Sequence, residues 1–172
     1  MTDATPFFTY ADDPANPGWK IWQATDPTRF NSLLGELSVR VDPGDPPIAR
    51  VRMRPERRHS NLREHVHGGA LLGFIDMAMF AACRGFGVLT AGAAVTLDLS
   101  TQFIGGAEIG RPVEAQVELL RETGRMLFVR GLVVQSVDDA GYTKVAAFSG
   151  TLRKSTPPAA ARDHGSPERP SG

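Results

Sequence analysis

Residues 68–87 contain the longest apolar run of the chain, which is interrupted by Asp76 and ends before Arg84. If this segment is a helix, its large apolar side chains surround the helix axis instead of forming one stripe. They are Leu71, Leu72, Phe74, Ile75, Met77, Met79 and Phe80. A helix that is apolar on all sides is a buried helix. The segment therefore predicts one long central helix that the rest of the chain must cover.

The segments on either side of this helix have the alternation and the turn signals of β-strands. Six such runs lie at residues 30–41, 48–55, 93–104, 112–122, 125–137 and 142–154. Short turn sequences at 123–124 and 138–141 join the last three runs as antiparallel hairpins. The economical way to bury one helix with these strands is an α+β fold, a curved antiparallel sheet wrapped around the helix.

The two ends of the chain differ from the body in composition. Residues 1–29 are rich in proline and aspartate, which predicts an irregular arm whose scattered aromatic side chains dock onto the body. Residues 155–172 contain proline, glycine and serine with few groups that can pack, which predicts a disordered tail. Residues 30–154 remain as one domain, long enough for a hydrophobic core.

Composition limits the class of partner and the compartment. Lysine plus arginine and aspartate plus glutamate number 19 each, so no overall field attracts nucleic acid or an anionic membrane. The single cysteine, Cys83, excludes an internal disulfide bond and fits a reducing compartment. The N-terminus lacks a basic signal-peptide start, and the apolar run is too short and too charged to span a bilayer. We expect a soluble, cytoplasmic protein.

Two glycines, Gly68 and Gly69, stand where the predicted helix begins. The first turn of a helix leaves about four backbone N–H groups without intrahelical partners, at the positive end of the helix dipole. Such a terminus suits a bound anion or the oxyanion that develops during acyl transfer. The simpler alternative is that the glycines only allow a tight turn from the loop into the helix.

Asp76 lies on the second turn or so after Gly68, in an otherwise apolar segment. A carboxylate in such surroundings is a candidate general base or nucleophile, or else a structural group hydrogen-bonded to a neighbouring strand. At about 1.5 Å per residue the two positions are roughly 12 Å apart along one helix, too far to act on one carbonyl. Two helices packed antiparallel would bring Gly68 of one subunit to the partner subunit's Asp76. Joint action of the two residues therefore predicts a site shared across a dimer.

Polar residues before the helix and around a later hairpin are further candidates for positioning or binding a substrate. Asn61 can position a carbonyl group or a water, and His67 can donate or accept a hydrogen bond. Each residue alone is more simply explained by loop structure. Three arginines surround the hairpin turn at 123–124. Their guanidinium groups can either form paired hydrogen bonds with phosphates or serve as ordinary surface groups. The arginines are Arg121, Arg125 and Arg130.

Other catalytic chemistries have weaker support. The loop histidines His59, His65 and His67 invite a metal-site interpretation. The only other histidine, His164, lies in the tail and no cysteine pair is present, so no metal is expected. Cys83 lies on the apolar helix and fits a small core residue better than a thiolate nucleophile.

Taken together, Asn61, the sequence HGG at 67–69 and Asp76 resemble the PaaI-like branch of the hotdog-fold thioesterases, within the 4-hydroxybenzoyl-CoA thioesterase superfamily. The segment VTLDLSTQFIGGAEIGRPVEAQVELLRETGR resembles the family's strand after the helix and the hairpin that follows it. The resemblance covers about residues 30–153. It implies a helix wrapped by a curved antiparallel sheet, a dimer or tetramer, and hydrolysis of acyl-coenzyme A thioesters without a metal.

The resemblance also implies a role for each matching residue. Asp76 would be the general base or nucleophile at the thioester carbon. The Gly68 N–H of the other subunit would donate a hydrogen bond to the thioester oxygen. Asn61 and His67 would orient the carbonyl or the attacking water. Thr96 stands where the family often has a serine or threonine near the aspartate.

One position departs from the family's pattern. The glycine that the family usually has three residues after the asparagine is Glu64 in this chain. Since a glutamate takes a positive φ less readily than a glycine, this departure leaves open whether the loop geometry and the placement of Asn61 match the family's.

We therefore expect a thioester hydrolase acting on an acyl-coenzyme A, with no cofactor besides the coenzyme A of the substrate. Gly69 and the three arginines are candidate contacts to the substrate or its phosphates. The N-terminal aromatic residues are candidates to line an acyl tunnel: Phe7, Phe8, Trp19 and Trp22. The expected partners are acyl-CoA and further copies of the chain, with no nucleic acid and no membrane. Two alternatives stay open, a non-catalytic hotdog protein that binds acyl-CoA and a hotdog hydratase or dehydratase.

Overall fold

The computed structural model describes residues 7–89, 94–137 and 141–155. These residues form one α-helix, α1, which is Gly68–Gly85, two short 3-10 turns, Phe30–Leu34 and Arg57–His59, and eight strands. The strands are β1 Phe8–Asp12, β2 Lys20–Ala24, β3 Leu37–Asp42, β4 Ile48–Met53, β5 Ala94–Phe103, β6 Val113–Glu122, β7 Met126–Ser136 and β8 Tyr142–Lys154. All pairings are antiparallel, in the order β1-β2-β3-β4-β6-β7-β8-β5. Because α1 packs against β3, β4, β5, β6 and β7, this is the α+β fold that the sequence predicts.

The central helix is buried on most sides and open on one. Phe74, Ile75 and other large side chains of α1 belong to the hydrophobic core that the sheet encloses. A stripe with helical spacing stays exposed or half-buried, and Leu72, Asp76 and Phe80 lie four residues apart along it. Asp76 therefore faces the side of the helix that the sheet leaves open.

By length and composition alone α1 could cross a membrane, against the expectation that it is too short and too charged. Half of its 18-residue apolar window is buried inside the protein, however, and core helices pass the same test. Its packing against the sheet identifies α1 as the core helix of this fold.

The N-terminal segment extends the sheet. β1 and β2 form an antiparallel hairpin, and β2 pairs with β3 through Trp22 and Leu37. The irregular structure predicted for residues 1–29 is therefore wrong for residues 8–12 and 20–24. Each of these strands has only five residues, and the prolines and aspartates around them hide the strand pattern.

Some predicted segments lie outside the described residues. They are most of the turn at 138–141 and all of the tail at 155–172 except Ser155. The division of the chain into an arm, a central domain at 30–154 and a tail stays a prediction.

β5 is an edge strand of the sheet, with β8 as its neighbour. A β-bulge between Thr96 and Asp98 shifts its register and interrupts the alternation predicted along this run. Val95 and Leu97 are 46% and 51% exposed, and Phe103 is 52% exposed. A long edge strand with exposed apolar side chains is a surface that proteins normally cover.

Candidate active site

Asp76 and Thr96 form the polar centre of the candidate site. Thr96 Oγ1 donates a hydrogen bond of 2.6 Å to Asp76 Oδ1, which joins the open stripe of α1 to the edge strand β5. The bulge directly after Thr96 helps to set the direction of its hydroxyl group. The other carboxylate oxygen, Oδ2, has no hydrogen-bond partner among the described residues, so it is available to a ligand or a water.

Asp76 lies in a small cleft of about 190 Å³, which we call the aspartate cleft. Its lining consists of Phe8, Trp22, Asn31, Asp76, Met77, Phe80, Leu89 and Ala94. These residues come from β1, β2, the 3-10 turn Phe30–Leu34, α1, the segment that follows α1 and the start of β5, so both edge strands of the sheet border the same cleft. The walls are largely apolar, which suits the apolar part of a ligand.

The residues that line this cleft agree only in part with those singled out in the sequence. Phe8 and Trp22, which were predicted to contact an acyl group, line it, whereas Phe7 and Trp19 do not. Asn31 was missed because the strand predicted from residue 30 begins only at Leu37, and residues 30–34 form the turn that places Asn31. A lone asparagine at the start of an apolar run carries no sequence signal for such a position.

Asn61 organises the loop that leads into α1. Its Oδ1 accepts hydrogen bonds from the backbone N–H groups of Arg63 at 2.8 Å and His65 at 3.2 Å. This is the structural role that the sequence left open as the simpler alternative. Because two donors hold Oδ1, the Nδ2 group is the end that remains for a ligand. It has no acceptor within the described part of the chain.

Glu64 adopts the backbone conformation that a glycine would provide. Its φ is 59°, the only positive φ of a non-glycine residue in residues 7–89, 94–137 and 141–155. The expectation that glutamate avoids this conformation is therefore wrong. The left-handed conformation costs about 1–2 kcal/mol in a residue with a Cβ. An exposed ion pair of 2.9 Å between Glu64 Oε2 and Arg57 Nη1 accompanies it.

The first turn of α1 leaves the Gly68 amide free. His67 is the N-cap residue, and its Nδ1 accepts the Gly69 N–H at 2.9 Å. The Gly69 amide is thus engaged, and only the Nε2 of His67 remains for a substrate. The Gly68 N–H has no acceptor among the residues described. It is therefore a donor that this helix terminus can offer to an anion.

Asn61 and Gly68 line a second cleft of about 420 Å³, which we call the glycine cleft. Its walls also include Leu71 and Phe103, whereas Asp76 lies in the aspartate cleft. Gly68 and Asp76, which are roughly 12 Å apart along α1, thus lie in two different clefts. Within one chain, the free donors and the carboxylate do not face the same space.

Other residues singled out in the sequence have structural roles. His59 Nδ1 accepts the Glu56 N–H at 2.8 Å, and its Nε2 donates to the Leu33 carbonyl at 2.6 Å. Cys83 is fully buried, and burial raises the pKa of its thiol to about 12, as in a core residue. In the described ranges, no three His, Cys, Asp or Glu side chains cluster as metal ligands.

The three candidate arginines differ in their contacts. Arg130 Nε donates to Glu118 Oε2 at 2.9 Å across β6 and β7. Arg121 and Arg125 are exposed beside the β6–β7 turn, and no described residue accepts a hydrogen bond from either side chain. These two side chains are available to an anionic ligand.

Comparisons with known proteins define the class to which this fold belongs. Residues 64–141 match the family model of the thioesterase superfamily. The structure is similar to the TT0310 protein of Thermus thermophilus, with 30% identity over 75% of this chain and 97% of that chain and a TM-score of 0.56. A variant of the phenylacetic acid degradation protein PaaI from the same organism shows 29% identity over 75% and 99%, with a TM-score of 0.57.

A hypothetical thioesterase of Streptococcus pneumoniae TIGR4, solved with coenzyme A, is 14% identical over 68% of this chain and 85% of its own, with a TM-score of 0.54. At that identity it supports the fold alone. No curated protein sequence matches the chain. The fold is that of the hotdog thioesterases. The chain belongs to the thioesterase superfamily, and the predicted resemblance to its PaaI-like members is confirmed.

Proposed function

We propose that the protein hydrolyses an acyl-coenzyme A thioester to a free acid and coenzyme A, as a homodimer whose active sites each combine both subunits. The observation that carries this proposal is the arrangement along α1. Asp76 is held by Thr96 in an apolar cleft, and the Gly68 N–H at the start of the same helix is free. A carboxylate and an oxyanion donor are sufficient to catalyse the hydrolysis of an activated acyl compound such as a thioester.

The reaction uses the free oxygen of Asp76. As a general base, Asp76 Oδ2 takes a proton from water while the water oxygen bonds to the thioester carbon. The carbonyl oxygen gains the negative charge and accepts hydrogen bonds from the partner subunit's Gly68 and the partner subunit's Asn61. The C–S bond then breaks, and the leaving thiolate recovers the proton from Asp76. If Asp76 is instead the nucleophile, its oxygen bonds to the thioester carbon as the C–S bond breaks and the coenzyme A thiolate leaves. Water then hydrolyses the acyl-aspartyl anhydride, which releases the free acid, restores the Asp76 carboxylate and provides the proton for the thiolate.

Two observations support a dimer. The glycine cleft and the aspartate cleft of one chain are separate, and a second α1 packed antiparallel brings each glycine cleft to the partner's aspartate cleft. On β5, Val95 and Leu97 flank Thr96 and are about half exposed. A second copy at this edge would cover those side chains and shield Asp76 from bulk solvent, which leaves room for one attacking water. Assembly of two such dimers into a tetramer is compatible with the same contacts.

Arg121 and Arg125 are the groups proposed for the phosphates of coenzyme A. Both are exposed and free beside one turn, and a guanidinium group pairs with a phosphate through two hydrogen bonds. Gly69 and Arg130 are weaker candidates because His67 and Glu118 already engage them. The hypothetical streptococcal thioesterase of the same fold was solved with coenzyme A, and we propose a ligand of this type for this chain. Coenzyme A is then part of the substrate, and the proposed enzyme is cytoplasmic.

A panel of acyl-CoA esters mixed with a free-thiol reagent tests the proposal. Thiol release that scales with enzyme concentration supports hydrolysis. Tight binding of acyl-CoA without thiol release would instead identify a non-catalytic binding protein. A changed acyl chain with an intact thioester would identify a hydratase or dehydratase. Either of these last two outcomes contradicts the proposed function.

A further inference from the structure

His59 is a buried histidine whose two ring nitrogens are both engaged by other parts of the chain. It is 5% exposed and ends the short 3-10 turn Arg57–His59 that follows β4. Its Nδ1 accepts the Glu56 N–H at 2.8 Å, and its Nε2 donates to the Leu33 carbonyl at 2.6 Å. Because Nδ1 faces an N–H and Nε2 faces a carbonyl, the neutral ring carries its proton on Nε2. His59 therefore acts on a reaction only through the residues that it holds.

The ring of His59 holds the 3-10 turn that borders the aspartate cleft. Leu33 belongs to the turn Phe30–Leu34, which places Asn31 in the wall of that cleft. Backbone carbonyls in the last turn of a helix lack partners within the helix, and His59 Nε2 provides a partner for the Leu33 carbonyl. This donor lies 26 residues further along the chain, so it ties the turn to a separate element. His59 thereby sets the position of one wall of the aspartate cleft.

The backbone of His59 holds the residue before Gly68. Its carbonyl accepts the His67 N–H at 2.8 Å, and the His67 carbonyl accepts the Leu71 N–H at 3.0 Å. His67 is thus held on both sides, so the planar peptide unit that joins it to Gly68 has a fixed direction. The Gly68 N–H, which has no acceptor in the described part of the chain, belongs to that unit. Because Nδ1 of His59 closes its own turn through the Glu56 N–H, the ring also fixes the carbonyl that His67 binds.

We propose that His59 is a positioning residue that serves two active sites at once. Its Nε2 sets one wall of the aspartate cleft of its own subunit, and its turn sets the direction of the Gly68 N–H in the glycine cleft. In the proposed dimer these two clefts belong to different sites, since each site combines the glycine cleft of one subunit with the aspartate cleft of the partner. One His59 therefore aligns the oxyanion donor of one site and a wall of the other. The inference rests on the proposed hydrolysis by a dimer and adds a residue that touches no substrate.

Two conservative variants separate the two hydrogen bonds of the ring. The amide of His59→Gln reaches the position of Nε2 and still donates to the Leu33 carbonyl, but it leaves the Glu56 N–H without its acceptor. The shorter His59→Asn places an oxygen near the position of Nδ1 for Glu56, but it does not reach Leu33. We expect His59→Asn to raise KM for acyl-CoA about tenfold with little change in kcat, the effect of one lost hydrogen bond. His59→Gln should instead lower kcat about tenfold with little change in KM.

The opposite effects on KM and kcat distinguish positioning from stability. A histidine that only stabilises the fold would lower the free energy of unfolding in both variants and leave KM and kcat of the folded protein at their wild-type values. Unchanged kinetics in both variants, or a change of the same parameter in both, would contradict the inference and leave the proposed hydrolysis intact. Chemical denaturation gives the folded fraction to which each kcat is referred.

Mixed dimers test the assignment of His59 to two sites. When a subunit with Asp76→Asn pairs with a subunit with Gly68→Pro, the one intact site takes Gly68 from the first and Asp76 from the second. His59→Asn should raise KM only in the subunit that supplies Asp76, and His59→Gln should lower kcat only in the subunit that supplies Gly68. Effects that do not depend on the subunit would overturn the inference. Mixed dimers without activity, beside an active wild type, would contradict the composite site and the inference together.

Amide hydrogen exchange decides the inference even if no ester is hydrolysed, a result that would contradict the proposed function. The Gly35 N–H donates to the Ser32 carbonyl at 3.1 Å and reports on the turn beside the aspartate cleft. The His67 N–H reports on the glycine cleft. His59→Asn should speed exchange mainly at Gly35, and His59→Gln mainly at His67. Equal effects at the two amides, or rapid exchange of the His67 amide in the wild type, would contradict the inference.

Discussion

The two clefts of this chain are held together by different forces. The glycine cleft depends on hydrogen bonds within one short loop, where Asn61 and His67 bind backbone N–H groups a few residues away. The aspartate cleft is packed from strands, a turn and a helix that are far apart in the sequence. Hydrogen bonds fix the direction of donors, whereas packed apolar walls fix a volume. The first cleft therefore suits a charge that appears during a reaction, and the second suits recognition of an acyl group.

The largest effect is expected in the aspartate cleft. Asp76→Asn keeps the size of the side chain and an oxygen for Thr96, but it cannot take a proton at neutral pH. We expect kcat to fall about 10³-fold, which steady-state kinetics with the preferred acyl-CoA would measure. Asp98→Asn, on the same exposed strand, is the matched control and should keep the wild-type kcat. If Asp76→Asn were as active as the wild type, its assigned role would be wrong.

A smaller loss is expected when the donor of the glycine cleft is removed. Gly68→Pro deletes the N–H at the first helical position, where proline is tolerated, and His67 before it has a compatible ψ of 138°. We expect kcat/KM to fall about 10²-fold. Gly68→Ala keeps the N–H and places its Cβ 3.4 Å from the Phe103 ring, so it should stay active. Equal losses in the two variants would assign the effect to packing. Circular dichroism checks that both variants fold.

Mixing these inactive variants shows whether the two clefts work in one chain or across two. Subunit exchange between Asp76→Asn and Gly68→Pro makes mixed dimers, each with one intact composite site and one doubly altered site. Since half of the dimers are mixed at equal input, about a quarter of the wild-type activity should return. Thiol release after exchange measures it, with each variant incubated alone as the control. No recovery, despite exchange shown by mass spectrometry, would place the whole site within one subunit.

The smallest effect concerns the backbone of the loop before α1. Glu64→Gly relieves the positive φ, and we expect it to be more stable than Glu64→Gln by roughly 0.5–1 kcal/mol. The glutamine variant keeps the backbone strain and loses the ion pair with Arg57, so the comparison isolates the conformational term. Chemical denaturation gives both free energies of unfolding. Equal stability of the two variants would mean that the loop carries no strain at this position.

The elements that could be predicted are those with a local signature. α1 and the strands from β3 onward have helical or alternating patterns that depend on neighbouring residues alone. The glycine cleft could be predicted for the same reason, since Asn61, His67 and Gly68 lie within one short segment. The contact of Asp76 with Thr96 was expected from the family resemblance and not from a pattern in the chain itself.

The aspartate cleft was harder to predict because its walls depend on tertiary pairing. The β1–β2 hairpin is recognisable only through its pairing with β3, and five-residue strands between prolines show little periodicity. The bulge between Thr96 and Asp98 moves β5 out of the alternation that its sequence suggests. Glu64 shows the reverse case, in which intrinsic preference disfavours a conformation that the surrounding loop imposes.

The β1–β2 hairpin and β5 end the strand order on opposite sides, yet both edge strands border the aspartate cleft. The hairpin supplies Phe8 and Trp22 to the wall of the aspartate cleft. The opposite edge carries the apolar side chains through which we expect copies of the chain to associate. Exchange of residues 8–24 for a hairpin of another sequence would therefore replace one wall of the aspartate cleft and keep every side chain of β5.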